Sequence, residues 1–236
     1  MGKPLISQRR GKGSISFRAP SHRFKVDLKY RDYDDKTMRA EIVNFIDDPG
    51  RTAILALAQY EDGERRALLA PEGMVIGQII EDGPSAKAEI GNVMPLMQIP
   101  EGFPVFNIER SPGDGGALVR SSGACAFIIS KDKKTATIKL PSGKTTRVNL
   151  KCRATIGCAS GGGRLEKPLL KAGKGHFKNK ARGHWYPTVR GVHMNPVDHP
   201  FGGKQHHGAK TKKGKGGAPG QHVGSFGAKR TGRKKR

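Results

Sequence analysis

From Phe24 onward, apolar and polar positions alternate. In "FKVDLKY" the side chains of Phe24, Val26, Leu28 and Tyr30 share one face, with charged or polar residues between them. That period of two is the signature of a half-buried strand. Short apolar runs follow, "RTAILALAQY", "RRALLA" and "MVIGQII", separated by the turn-forming clusters "EDG", "PEG" and "EDGP". Strands at this spacing predict a small antiparallel barrel. A second set begins near Phe103 with "VFNIER", "ALVRSSG", "ACAFIIS", "TATIKL" and "TTRVNLKCRATIG", punctuated by "SPGDGG", "KDKK" and "PSGK". The pattern predicts an all-β protein of two small barrels in tandem, joined around "MQIPEGFP". No segment of the first block holds a 3.6-residue period over a helix's length.

The alternation stops after "CASGGGRLEKPLL". Residues 171–236 hold 14 glycines among 66 residues and few aliphatic side chains. Such a segment buries too little apolar surface to offset its ordering entropy unaided. The free protein is therefore expected to leave this arm unordered until a partner orders it.

Charge names that partner's class. The 236-residue chain carries a formal net charge of +24, unevenly spread. Residues 1–26 are +7, residues 27–118 are −8, residues 119–170 are +9 and residues 171–236 are +16. A solubility charge would not segregate in this way. Basic ends flanking a mildly acidic block suit a chain that lays its ends on a polyanion.

Other features narrow the reading. No run approaches 18 apolar residues, so no membrane span is expected. The opening "MGKPLISQRR" lacks the apolar stretch of a signal peptide and, with Ile6 in the sixth place, the myristoylation pattern. Three cysteines, Cys125, Cys152 and Cys158, cannot all pair with one another, which fits a reducing, cytosolic compartment better than a disulfide framework. Cys152 and Cys158 flank a strand and read as small core residues.

The segment "PTVRGVHMNPVDHPFGGK", 187–204, is the richest in candidate chemistry. Asp198 and His199 are adjacent, so in extended chain they point to opposite faces and make a poor acid–base dyad. No serine or cysteine nearby has a nucleophile's context. Four histidines, at 193, 199, 206 and 207, raise the question of metal, but their spacing matches no familiar zinc signature. No metal or other cofactor is expected. "SGKTT" at 142–146 resembles the tail of a phosphate loop; Ile138 stands where its first glycine belongs, and the segment reads as a hairpin turn.

A third reading of 187–204 faces RNA. Gly202 and Gly203 permit close backbone approach, and Pro187, Pro196 and Pro200 stiffen the path. Arg182, Arg190 and Lys204 supply phosphate contacts; Trp185, Tyr186 and Phe201 either stack on exposed bases or pack on the protein. Asp198, the only acid after Lys171, needs a neutralising cation, a metal, or a donor on a base or ribose.

"PTVRGVHMNPVDHPFGG" closely resembles the signature segment of the universal large-subunit ribosomal protein L-two family. "GNVMPLMQIPEGFPVFNIE", "SPGDGGALVRSSGACAFI", "KCRATIG", "KAGKGHFKNKARG" and "AKRTGRKKR" are similar to that family in the same order along the chain. Phe201, where bacterial members carry a second histidine, and "CASGGGRLEKPLLKAGKGHF" resemble archaeal and eukaryotic members. The resemblance implies an OB-like β-barrel at 24–101 and an SH3-like β-barrel at 102–175. A basic N-terminal arm at 1–23 and a basic, Gly-rich extension at 176–236, both irregular, would flank them.

It also implies a non-enzymatic constituent of the cytoplasmic ribosome. Its partners would be large-subunit rRNA, neighbouring ribosomal proteins, small-subunit contacts and tRNA, with no membrane and no homo-oligomer. Subunit association, tRNA binding and support of the peptidyl transferase region are the roles implied. The residues expected to contact rRNA are Arg9, Arg10, Lys12, Arg18, Arg23, Lys151, Arg153, Lys171, Lys174, Lys178, Lys180, Arg182, Trp185, Arg190, Asn195, Asp198, His199, Gly202, Gly203, Lys204, Arg230 and Arg233. The charge alone supports an architectural DNA-binding protein equally, and that alternative stands beside the first.

Overall fold

Ten strands carry the alternation seen in the chain. The computed structural model describes residues 2–32 and 36–203, which fall into two compact units. One comprises Ser21–Pro168; the other combines Met1–Pro20 with the chain from Leu169 onward.

The Ser21–Pro168 unit holds every strand among the described residues: β1 (Met38–Ile46), β2 (Leu55–Tyr60), β3 (Arg65–Leu69), β4 (Ile79–Asp82), β5 (Val93–Pro95), β6 (Pro104–Phe106), β7 (Ala126–Lys131), β8 (Thr135–Lys139), β9 (Thr145–Asn149) and β10 (Arg153–Ile156). They form one continuous ladder in the order β3-β2-β1-β4-β5-β10-β6-β7-β8-β9. Every pairing is antiparallel except β4 with β5. The 140–144 segment is the hairpin turn between β8 and β9, with Leu140 N–H on Lys144 O and Gly143 N–H on Leu140 O, both 2.9 Å.

β1 is the longest strand and lies between β2 and β4, yet the alternation marks it poorly. Ala40 and Ile42 point inward; a register shift between Ile42 and Asn44 then resets the phase, as a bulge does. "FKVDLKY" shows the converse. Leu28 and Tyr30 are buried as the period requires, but the backbone makes only an isolated bridge from Leu28 to Ala67.

Apolar side chains gather in two main cores. The first contains Tyr30, Ala40, Ile42, Ala56, Ala58, Leu68, Ile80 and Val93. The second contains Ala86, Met94, Leu96, Ile99, Val105, Ile108, Ile128, Ile138, Val148 and Ile156. A smaller cluster of Leu28, Ala53, Leu55, Leu69, Phe106 and Ala159 draws on both halves. Ala86, Met94, Leu96 and Ile99, which precede the expected boundary at 101/102, pack with the second core while Val93 stays in the first, and β10 pairs with both β5 and β6. That long-range pairing leaves no local trace in the sequence.

Where β10 enters the sheet, a charged residue is sealed inside. The Arg153 side chain is only 6% exposed. Its Nη2 donates to Glu109 Oε1 at 3.1 Å and to Arg31 O at 2.7 Å, its Nε to Glu109 Oε1 at 3.3 Å, and its backbone N–H to Glu109 Oε2 at 2.9 Å. The guanidinium lies over the Tyr30 ring, 5.3 Å from its centre, and 3.8 Å from Asp82 Oδ1. Tyr60 donates to Asp82 Oδ2 at 3.0 Å, and Tyr30 to the Asn107 carbonyl at 2.7 Å. Burial raises the Asp82 carboxyl above its usual range. Arg153, expected to meet RNA, therefore points inward and answers Glu109. Lys151, two residues earlier, is exposed.

Cys152 is buried, as expected of a core residue, whereas Cys125 and Cys158 are partly exposed; all three are free thiols. Among the described residues no helix is long and apolar enough to cross a membrane.

Candidate nucleic-acid interface

The second unit is made of both ends of the chain, which were expected as basic arms flanking the barrels. Its described part holds α1 (Ile6–Gly11), α2 (Ala172–Lys180) and 3-10 turns at Ile15–Phe17 and Gly191–His193. These described residues contain eleven Lys and Arg and one acid, Asp198.

α2, "AGKGHFKNK", has little intrinsic reason to be a helix. Two glycines cost roughly 1 kcal/mol each relative to alanine, and Lys171 and Lys174 sit at the dipole's positive end, where cations are disfavoured. Tertiary contacts hold it. Gly175 is buried against the Tyr186 phenol, and Asn179 Nδ2 donates to Gly175 O at 2.7 Å while accepting His184 N–H at its own carbonyl, 2.9 Å away. Lys171, Lys174, Lys178, Lys180 and Arg182 all stay exposed.

Trp185 stacks on Phe17, with ring centres 5.9 Å apart, and Arg9 lies 5.6 Å above the indole. Its packing partners are thus protein residues from the other end of the chain, although 41% of its surface remains open.

The 187–203 loop is wound on its own carbonyls. Asn195 O accepts the backbone N–H groups of Asp198 at 3.0 Å and His199 at 3.1 Å. His199 O accepts Gly202 N–H at 2.9 Å, and Met194 O accepts Gly203 N–H at 3.3 Å. A Cβ on Gly202 would overlap the Met194 and Asn195 carbonyl oxygens, so the loop closes only on glycine. Arg190 donates to His193 Nε2 at 2.6 Å.

Lys3 neutralises Asp198: its Nζ lies 3.1 Å from Oδ1, and its backbone N–H donates to Val197 O at 2.7 Å. Asp198 is thereby an internal fastening. The His199 ring packs against Gly191 and edge-on to Phe201, ring centres 5.2 Å apart. Its Nδ1 accepts the Phe201 N–H at 3.0 Å, which leaves Nε2 to carry the proton of the neutral ring. Burial lowers the His199 pKa.

Of the other candidates, Arg9, Arg10, Lys12, Arg18, Arg190 and Asn195 are exposed in this unit. Arg23 and Lys151 are exposed in the Ser21–Pro168 unit. Lys204, Arg230 and Arg233 lie outside the described residues, as do His206, His207 and most of the extension whose order was in question. No group of three His, Cys, Asp or Glu among the described residues is placed to hold a metal. The reading of the sequence missed Lys3 and Phe17, each nearly 170 positions or more from its partner in the chain; the lone acid at 198 called for a cation without saying which.

Two barrels in tandem, together with a unit built from both basic ends, define the class: a structural protein whose charge suits a polyanion. Residues 4–82 match the family model described as "Ribosomal Proteins L2, RNA binding N-terminal domain", and residues 89–222 match "Ribosomal Proteins L2, C-terminal domain". The chain is 50% identical to the large ribosomal subunit protein uL2 of Natronomonas pharaonis, over 99% of this chain and 97% of that protein. It is 49% identical to the uL2 of Methanothermobacter thermautotrophicus over the whole of both, and 50% identical to that of Haloarcula marismortui over 99% and 98%. The chain belongs to the L2 family of ribosomal proteins. Its two halves are accordingly an OB-like barrel followed by an SH3-like one. Nothing in these matches supports the DNA-binding alternative.

Proposed function

We propose that this protein is a structural constituent of the large ribosomal subunit in the cytoplasm, binding large-subunit rRNA without itself performing chemistry. The observation that carries the reading is the described part of the two-ended unit, where eleven cations face one acid already held by Lys3. Exposed lysines and arginines there would neutralise phosphates and position the protein. The contact set is Arg9, Arg10, Lys12, Arg18, Arg23, Lys151, Lys171, Lys174, Lys178, Lys180, Arg182, Trp185, Arg190, Asn195, His199, Gly202 and Gly203, with Lys204, Arg230 and Arg233; Asp198 shapes the loop for them. We divide the chain into the barrels and a unit made of both ends. Support of subunit association, tRNA binding and the peptidyl transferase region is the role we assign it.

The test is sedimentation of lysate through a sucrose gradient before and after a high-salt wash, following the protein by mass spectrometry. Each neutralised phosphate contributes a salt slope of about −0.7 to −0.9, so a superficially bound protein leaves at high salt. Retention with the large subunit is expected. A free protein, or one running with the nucleoid, would overturn the reading.

A further inference from the structure

The turn before β4 carries the wrong residues for a turn. Tips of this kind favour Gly, Pro, Asn, Asp and Ser, yet Val75 and Ile76 occupy it, 62% and 60% exposed. It is a firm turn. Gln78 N–H reaches Val75 O at 3.3 Å, Gln78 Oε1 takes the Val75 N–H at 3.3 Å, and Gly77 adopts φ 81°. Hydrogen bonds from Gly77 N–H to Ile42 O (2.8 Å) and from Ile42 N–H to Gln78 O (2.9 Å) clamp it to β1.

More apolar surface lies alongside. β4 sets Ile79 opposite Glu41 on the outer face, and Ile79 is 64% exposed. Gln78 Nε2 donates to Ile90 O at 3.4 Å, bringing up Ile90, 55% exposed, and Val43 on β1 is also exposed. Exposed aliphatic side chains gathered on one turn and the segments bonded to it mark a binding face.

The charges around it choose the occupant. Glu41, Glu72 and Glu89 are exposed, and none takes part in an ion pair among the described residues. Residues 27–118 as a whole are −8. Carboxylates repel phosphate, which removes RNA. A second copy would oppose the same carboxylates to each other and add two chains of +24.

We propose that the face formed by Val75, Ile76, Ile79 and Ile90 docks a basic protein segment with two or three apolar side chains, belonging to a neighbour in the large subunit. The proposal rests on the ribosomal reading above. Aliphatic anchors would fill the centre and Lys or Arg the rim, where opposite charge sets register and partner choice.

The test places a photoreactive benzoylphenylalanine at Ile76 and, in a separate protein, at Phe177, which is exposed on α2. Both are irradiated in large subunits purified from cells. The Phe177 probe is expected to label rRNA and the Ile76 probe a lysine- and arginine-rich protein. Labelling of rRNA, of a second copy, or of nothing by the Ile76 probe would overturn the docking. Failure of the Phe177 probe alone to label rRNA would count against the ribosomal reading instead. An Ile76→Asp/Ile79→Asp variant, altered only at exposed positions, should retain that neighbour at least about tenfold less well. Undiminished retention would also refute the proposal.

Discussion

The imidazole of His199 lies in the space that a Cβ on residue 191 would occupy, so Gly191 is what lets the ring pack inside its own loop. The same ring accepts the Phe201 N–H at 3.0 Å. Gly191→Ala must expel it, at about 1–3 kcal/mol for overpacking. The His199 pKa, lowered by burial, is then expected to climb toward its ordinary value in an NMR titration. An unchanged pKa would show that the ring does not depend on this contact.

The lowered pKa also fixes the sign of a pH effect. The unfolded loop binds a proton near the usual histidine value of about 6.5, and the folded loop only at lower pH. Between those values the unfolded state holds more protons, so folding is favoured as pH rises. The contribution is complete above about pH 6.5 and is lost as pH falls through the folded value. Protease protection of 187–203 should therefore weaken on acidification, and His199→Gln should flatten that part of the profile. A wild-type profile already flat between about pH 5 and 8 would argue against it.

How legible these features were depended on the distance between partners. Alternation in "TATIKL" and "TTRVNL" announced β8 and β9 because both signal and hairpin are local. β1 escaped notice through the phase reset between Ile42 and Asn44. The β10 pairings join strands roughly 50 to 60 residues apart in the chain, and Lys3 meets Asp198 across almost the whole sequence. Arg153 was expected among the rRNA contacts and is instead buried. Cys152 and Ala154 on either side already hinted at an interior strand.

Arg153 and Lys151 should separate cleanly by experiment. Removing one partner from a buried ion pair leaves the other charge stranded, a loss of about 3–5 kcal/mol. Arg153→Met strands Glu109, which is fully buried, and is expected to lower the urea midpoint sharply. Lys151→Ala, at an exposed site, should leave that midpoint within about 0.5 kcal/mol and reduce the salt slope of rRNA binding by about 0.7–0.9. Equal stability of the two variants would return Arg153 to the surface set.

The two α2 glycines make the final contrast. Nothing lies within 4 Å of a Cβ built on Gly173, whereas one on Gly175 would sit 3.1 Å from the Tyr186 hydroxyl oxygen. Gly173→Ala thus gains helix propensity and loses unfolded-state entropy without a collision, together worth about 0.5–1 kcal/mol. Gly175→Ala makes the same gain but forces the Tyr186 phenol to shift by a few tenths of an ångström. That displacement pulls on the segment leading to Trp185 and its stack on Phe17. Amide exchange across 172–180 is expected to slow in Gly173→Ala and to slow less, or quicken, in Gly175→Ala. With Trp185 the only tryptophan, its fluorescence reports the displacement directly: a shift in the Gly175 variant alone is expected. Identical exchange and emission in both variants would mean that Tyr186 does not hold the helix in place.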